Sequence, residues 1–144
     1  MLISVTRLRL RSPVFLPMFA WQTFLTQRQV VRAAGFIAGR LLVDAQRTFW
    51  TMTAWETEQA MRSYRISGTH AKVMPRLQDW CDEASVVHWT DERPALPSWT
   101  EGCERMRKDG RPSRVRHPSP RHEELGFPDP RLQPLIGQAL RPKR

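Results

Sequence analysis

Between Phe49 and Trp55 the side chains alternate. Phe49, Thr51, Thr53 and Trp55 share one side and Trp50, Met52 and Ala54 the other, which predicts a strand. Neither side looks made for water, so helices are expected on one face and a further layer, most simply a partner sheet, on the other. Residues 3 to 11 alternate Thr6, Leu8 and Leu10 with Arg7, Arg9 and Arg11, a second strand with a basic face. Leu16 to about Arg32 follows the helical period through Met18, Trp21 and Leu25, with Pro17 in the first turn and Gly35 as C′ residue. Phe36 to Val43 is again apolar on both sides, and the short polar link Asp44-Ala45-Gln46 predicts a hairpin with the Phe49 strand. Glu56 to about Ile66 reads as a helix stopped by Gly68. Thr69 then caps a further helix from His70 to about Asp82, bent or shortened by Pro75. Ser85 to Thr90 is the last strand. This order is the ferredoxin-like split βαβ arrangement, an α+β fold with an antiparallel sheet and helices on one face.

The picture changes near residue 90. Nine of the 12 prolines follow Asp91, so a core domain is expected over residues 3–90, a linker and short helix over 91–110, and a Pro/Arg-rich extended or disordered tail over 111–144. The short helix, residues 98–109, is announced by the capping box Ser98-Trp99-Thr100-Glu101, the stripe Trp99, Cys103 and Met106, and the stop at Gly110. Within the tail, Leu132 to Leu140 is the one stretch expected to make a brief ordered contact.

The chain has 144 residues, 40% of them hydrophobic, and a net charge of +9 spread over both halves. That balance attracts polyanions or acidic lipid surfaces without defining a basic domain. No stretch is long and apolar enough for a membrane span, and the arginines at 7, 9 and 11 interrupt any secretory signal, so a cytoplasmic protein is expected. Cys81 and Cys103 offer neither a disulfide framework nor metal-ligand spacing, and no metal site is predicted. The middle strands lack the paired aromatic signature of RNA-binding sheets, so no specific nucleic acid is expected; the arginine-rich tail can still touch phosphate.

The segments GRLLVDAQRTFWTMTAWETEQAMRSYR and SGTHAKVMPRLQDW, with Trp55, Ala60, Met61, His70 and Trp80 in place, resemble the dimeric α/β barrel superfamily of antibiotic biosynthesis monooxygenases. Within it, the likeness is greatest to uncharacterised bacterial domains related to spheroidene monooxygenase. The resemblance implies a homodimer through the sheet faces and a pocket between sheet and helices for a hydrophobic or aromatic small molecule. The cofactor it implies is none or haem. A monooxygenase-like activity and a non-catalytic dimeric binding or stress-related module of the same fold both satisfy it.

His70, at a helix start, is the candidate catalytic residue, as acid/base or metal ligand; a histidine there also serves as cap or packing. Trp21, Trp55, Tyr64 and Trp80 are candidate substrate-binding aromatics, against the alternative that tryptophans at such spacing form core. Arg47 beside the hairpin turn would balance an acidic substrate group or stand exposed at a strand end. His88 falls on the wet side of the last strand with no partner suggested.

Overall fold

The computed structural model describes residues 1–131 and 138–143. Its centre is an antiparallel sheet in the order β5-β4-β1-β3-β2-β6. The long strands are β1 (Leu2–Leu10), β2 (Phe36–Asp44), β3 (Thr48–Trp55) and β4 (Cys81–Thr90), with short edge strands β5 (Arg111–Pro112) and β6 (Gln138–Leu140). The helices are α1 (Leu16–Val30), α2 (Glu58–Arg65), α3 (Gly68–Trp80) and α4 (Trp99–Asp109). The expected α+β, ferredoxin-like order is present. β1 lies between β3 and β4, pairing Val5 with both Met52 and Val87.

Two local outcomes differ from the expectation. Gly68, at φ +58°, opens α3 rather than merely ending α2. The last strand begins at Cys81 and not at Ser85, because the residues expected to finish a helix pair with β1 instead. Asp82 accepts two hydrogen bonds from Arg9 at 2.9 and 2.7 Å, and Glu83 accepts one from Arg7 at 2.7 Å. These charge-assisted bonds hold the acidic pair in extended backbone.

The sheet is covered on both sides. On one face α1, α2 and α3 close over two separate apolar clusters. Leu10, Phe19, Val73, Trp80 and Cys81 form one, with Phe49 and Phe15 packed on it; Val30, Phe36, Trp55 and Met61 form the other. On the opposite face Ile3, Val5, Trp50, Met52, Val87 and Trp89 pack against Cys103, Met106 and Phe127. The stripe read from α4 docks here. Gly102 lies so close that a Cβ would sit 3.0 Å from Met52 Cε.

The cover expected from a partner sheet is thus supplied by the chain's own α4 and tail. Trp50 and Met52 are fully buried without a second copy, and a homodimer through these faces would require α4 and Phe127 to leave them. The tail over 111–131 has little regular structure, yet it is fastened. Arg121 and Ser119 donate to Glu83, Arg107 donates to Asp129, and the Arg7 guanidinium lies over the Phe127 ring at 4.6 Å. Buried His122 donates from Nε2 to the Ser113 carbonyl and accepts the Ala84 N–H at Nδ1. The expectation of extended or disordered chain missed this because the anchors are single residues without periodicity. The contact expected at Leu132–Leu140 lies outside the described residues over 132–137; Gln138–Leu140 pairs with Gly39–Leu41.

Candidate functional site

The helix-covered face is not uniformly apolar. Between its two clusters, β1 presents Ser4 and Thr6, β3 presents Thr51 and Thr53, and β4 presents His88. The register sets Ser4 opposite both Thr53 and His88, and Thr6 opposite Thr51. All five are half-buried. Thr53 accepts the Trp55 indole N–H at 3.0 Å. Among the described residues Ser4, Thr6, Thr51 and His88 have no side-chain hydrogen-bond partner, so this floor can bond a guest without first breaking bonds of its own.

Burial lowers the pKa of His88, the charges of Arg65 and Arg111 lower it further, and Glu58 opposes them. Its imidazole is therefore held neutral. α2 packs Met61 and Tyr64 on the Trp55 cluster beside the floor.

An aromatic stack rises beside it. Trp55, fully buried, meets Tyr64 with ring centroids 5.2 Å apart, and Tyr64 meets His70 at 4.8 Å. Burial raises the Tyr64 phenol far above its ordinary range. His70 is set by two bonds: its backbone N–H donates to Gln29 Oε1 at 2.9 Å, and its Nδ1 donates to the Arg65 carbonyl at 3.2 Å. Burial is the main cause that lowers the His70 pKa. The ring is thus neutral with its lone pair on Nε2. Tyr64 also borders a wide-mouthed cleft of about 850 Å³ between α1 and α2, lined by Arg28, Arg32, Glu56 and Ser63 among others. Gly35, at φ +80°, lets the chain pass under α2 here, since a Cβ would meet that of Ala60 at 2.5 Å.

Of the residues singled out in the sequence, the structure brings together Trp55, Tyr64 and His70. The other three lie elsewhere. Trp21 is exposed on the outer side of α1, stacked on Phe24. Trp80 is buried against Phe15 in the other apolar cluster. Arg47 sits in the hairpin with φ 60°, and its Nε donates to the Leu10 carbonyl at 3.2 Å, a structural bond. Sequence reasoning missed Ser4, Thr6, Thr51 and Thr53. The signal was the pair of hydroxyls between Phe49 and Trp55 on one side of a strand otherwise read as greasy.

A porphyrin needs two flat apolar walls and an axial ligand facing the gap between them. His70 Nε2 has the right chemistry, but its ring packs on Tyr64, the floor is hydroxylic, and the outer cleft is wide-mouthed and mixed, with Arg28, Arg32 and Glu56 set among Leu25, Ala33 and Ala60 and no pair of flat apolar walls. These residues do not fit haem, and among the described residues no group of three His, Cys, Asp or Glu is placed to hold a metal ion.

Residues 17–112 match the family model described as Domain of unknown function (DUF3291), two thirds of the sequence. The chain belongs to this family. The family's span runs from α1 through α4 to the start of the tail, so it includes Trp55, Tyr64, His70 and His88 but not Ser4 and Thr6. Solved structures of the antibiotic biosynthesis monooxygenase type share its fold. One, from Nitrosomonas europaea and described as an antibiotic biosynthesis monooxygenase, aligns with TM-score 0.58 and 16% identity over 65% of this chain and 100% of that one. SnoaB, a cofactor-independent oxygenase from Streptomyces nogalater, aligns with TM-score 0.55 and 16% identity over 67% and 97%. A point mutant of MhuD, with two manganese protoporphyrin IX bound per active site, aligns with TM-score 0.50 and 15% identity over 67% and 100%. At such identities the likeness establishes the fold. A search of curated proteins finds no match.

Proposed function

We propose that this chain binds a small molecule between sheet and helices, its polar groups on the Ser4, Thr6, Thr51 and Thr53 floor and its apolar or aromatic part toward Trp55. The observation that carries the reading is the floor itself: four hydroxyls and a neutral histidine in register, half-buried, between two well-packed clusters. A sheet face with no guest would be expected to continue its apolar packing across that gap. His88, neutral and unpartnered, accepts or donates one directional hydrogen bond to the guest. His70 and Tyr64 hold Trp55 in place.

A monooxygenase-like reaction is the second reading, favoured by the same neutral histidine. Oxidation of an activated phenol or enol without a cofactor begins with removal of a proton, and His88 is a base that is free at neutral pH. Fluorescence titration with a panel of planar phenols and hydroxylated aromatic acids tests binding, and an oxygen electrode tests turnover. Thr53→Val together with Ser4→Ala is expected to weaken binding about tenfold or more, since each lost hydrogen bond removes on the order of 1 kcal/mol. Binding unchanged in that variant would refute the floor. Binding retained with no oxygen uptake would leave the non-catalytic module.

A further inference from the structure

The outer side of α1 is apolar and, among the described residues, has no cover. Val14, Met18, Trp21 and Phe24 are 71%, 46%, 56% and 48% exposed. Met18, Trp21 and Phe24 recur at helical spacing along α1, about 22 Å long, and Val14, in the turn before it, extends the ridge. Trp21 stacks on Phe24 with centroids 5.9 Å apart, and the Arg28 guanidinium lies 5.8 Å from the Phe24 ring. The ridge is therefore aromatic at its centre and cationic toward one end.

Its electrostatic setting is predominantly basic. From Met1 to Val43 the sequence contains six arginines and no Asp or Glu. Arg7, Arg9 and Arg11 pair with carboxylates on β4 and α3, but Arg28 and Arg32 pair with none among the described residues. The neighbouring helix α3 adds exposed Lys72, Met74 and Arg76.

We propose that this ridge is a peripheral docking surface for an anionic lipid bilayer. Trp21, Phe24 and Met18 would enter the interface, and Arg28, Arg32, Lys72 and Arg76 would meet the headgroups. Tryptophan and phenylalanine beside basic side chains are the residue types that lie stably at that boundary. Among the described residues no helix is long and apolar enough to cross the membrane, so the contact proposed lies on the surface. A second copy of the same ridge is disfavoured, because it would bring two basic faces together without supplying a counter-charge. The proposal is independent of the ligand floor, which lies on the other side of the helix layer.

The experiment is co-sedimentation of the full chain with vesicles of phosphatidylcholine alone and of phosphatidylcholine with one-third phosphatidylglycerol, at low and physiological salt. The chain is expected to pellet with the anionic vesicles, less so as salt rises. The double variant Met18→Ser, Trp21→Ser is expected to lose about tenfold or more in partitioning, since it removes two apolar anchors. Both side chains are exposed, so the variant should keep its circular dichroism spectrum and melting temperature; Phe24→Ser is the alternate if it does not. Arg28→Glu with Arg32→Glu should lower anionic binding alone. Absence of pelleting with anionic vesicles overturns the proposal, as does equal pelleting of the Met18/Trp21 variant, which would assign the attraction to diffuse charge. A lipid-independent dimer that light scattering shows to be abolished by the same variant would also overturn it, making the ridge a contact between copies.

Discussion

Replacing Glu83 by Gln should be among the most damaging single changes in this protein. The carboxylate is 3% exposed and meets Arg7 at 2.7 Å, Arg121 at 2.5 Å and the Ser119 hydroxyl at 2.9 Å. Burial opposes its ionisation, and the bonds from Arg121, Arg7 and Ser119 outweigh burial, leaving the carboxyl at about 2. A group that ordinarily titrates near 4.5 and is held at about 2 contributes about 3 kcal/mol at neutral pH. Because the folded value is the lower one, that contribution is complete above the unfolded value and is lost as pH falls from about 5 to 2. Glu83→Gln leaves Arg7, itself 3% exposed, without a counter-charge, and the total loss, which includes the contribution just given, is about 3 to 5 kcal/mol. Urea denaturation across a pH series measures both effects. The variant should show a midpoint reduced accordingly at pH 7 and a flatter acid limb. The paired change Glu83→Leu, Arg7→Met should recover most of the loss, since it removes the buried charges together. A Glu83→Gln variant within about 1 kcal/mol of the parent, or an unchanged acid limb, would refute the reasoning.

Phe127→Ala should cost about 3 kcal/mol by uncovering Trp50 and Arg7, seen as a lower denaturation midpoint and faster tryptic cleavage after Arg121. Gly35→Ala is expected to destabilise by about 1 to 3 kcal/mol, since φ is +80° and the added Cβ would strike Ala60; far-ultraviolet circular dichroism during thermal unfolding reads it. His70 resists protonation in the folded state while the unfolded chain titrates near 6.5, so stability should fall as pH drops below that value. His70→Gln should remove part of this slope in denaturation curves, with His88 responsible for the remainder.

The alternation in Phe36–Val43 and Phe49–Trp55 was enough to read the central hairpin, because residues apolar on both sides can only be buried on both sides. It did not say by what. A partner sheet and α4 leave the same demand on Trp50 and Met52, and the Ser98 cap with the Trp99, Cys103, Met106 stripe defined a helix without its destination. The α3–β4 junction was illegible for another reason: Trp80-Cys81-Asp82-Glu83 holds no Gly or Pro, and its strand state follows from distant Arg7 and Arg9. Trp55 and His70 are among the residues that carry the family resemblance and Tyr64 lies on the apolar face of its predicted helix; only the structure shows the three stacked together. The hydroxyl floor was not, since threonine is also an ordinary strand former and only the pairing of three strands shows Thr51 and Thr53 beside Ser4 and Thr6.

The position of β1 has a consequence for synthesis. Leu2 pairs with Trp55 on one edge and with Thr90 on the other, so the strand at the middle of the sheet is translated before either of its neighbours. A nascent chain holding β1 but not yet β4 has an unpaired edge beside Ile3 and Val5, a template for association with other chains. Folding must wait for contacts far apart in sequence, which makes it slow relative to helical proteins of this size. Ribosome-bound chains stalled before residue 81 should therefore depend on chaperones, and those extended past the β4 segment should be released from that dependence.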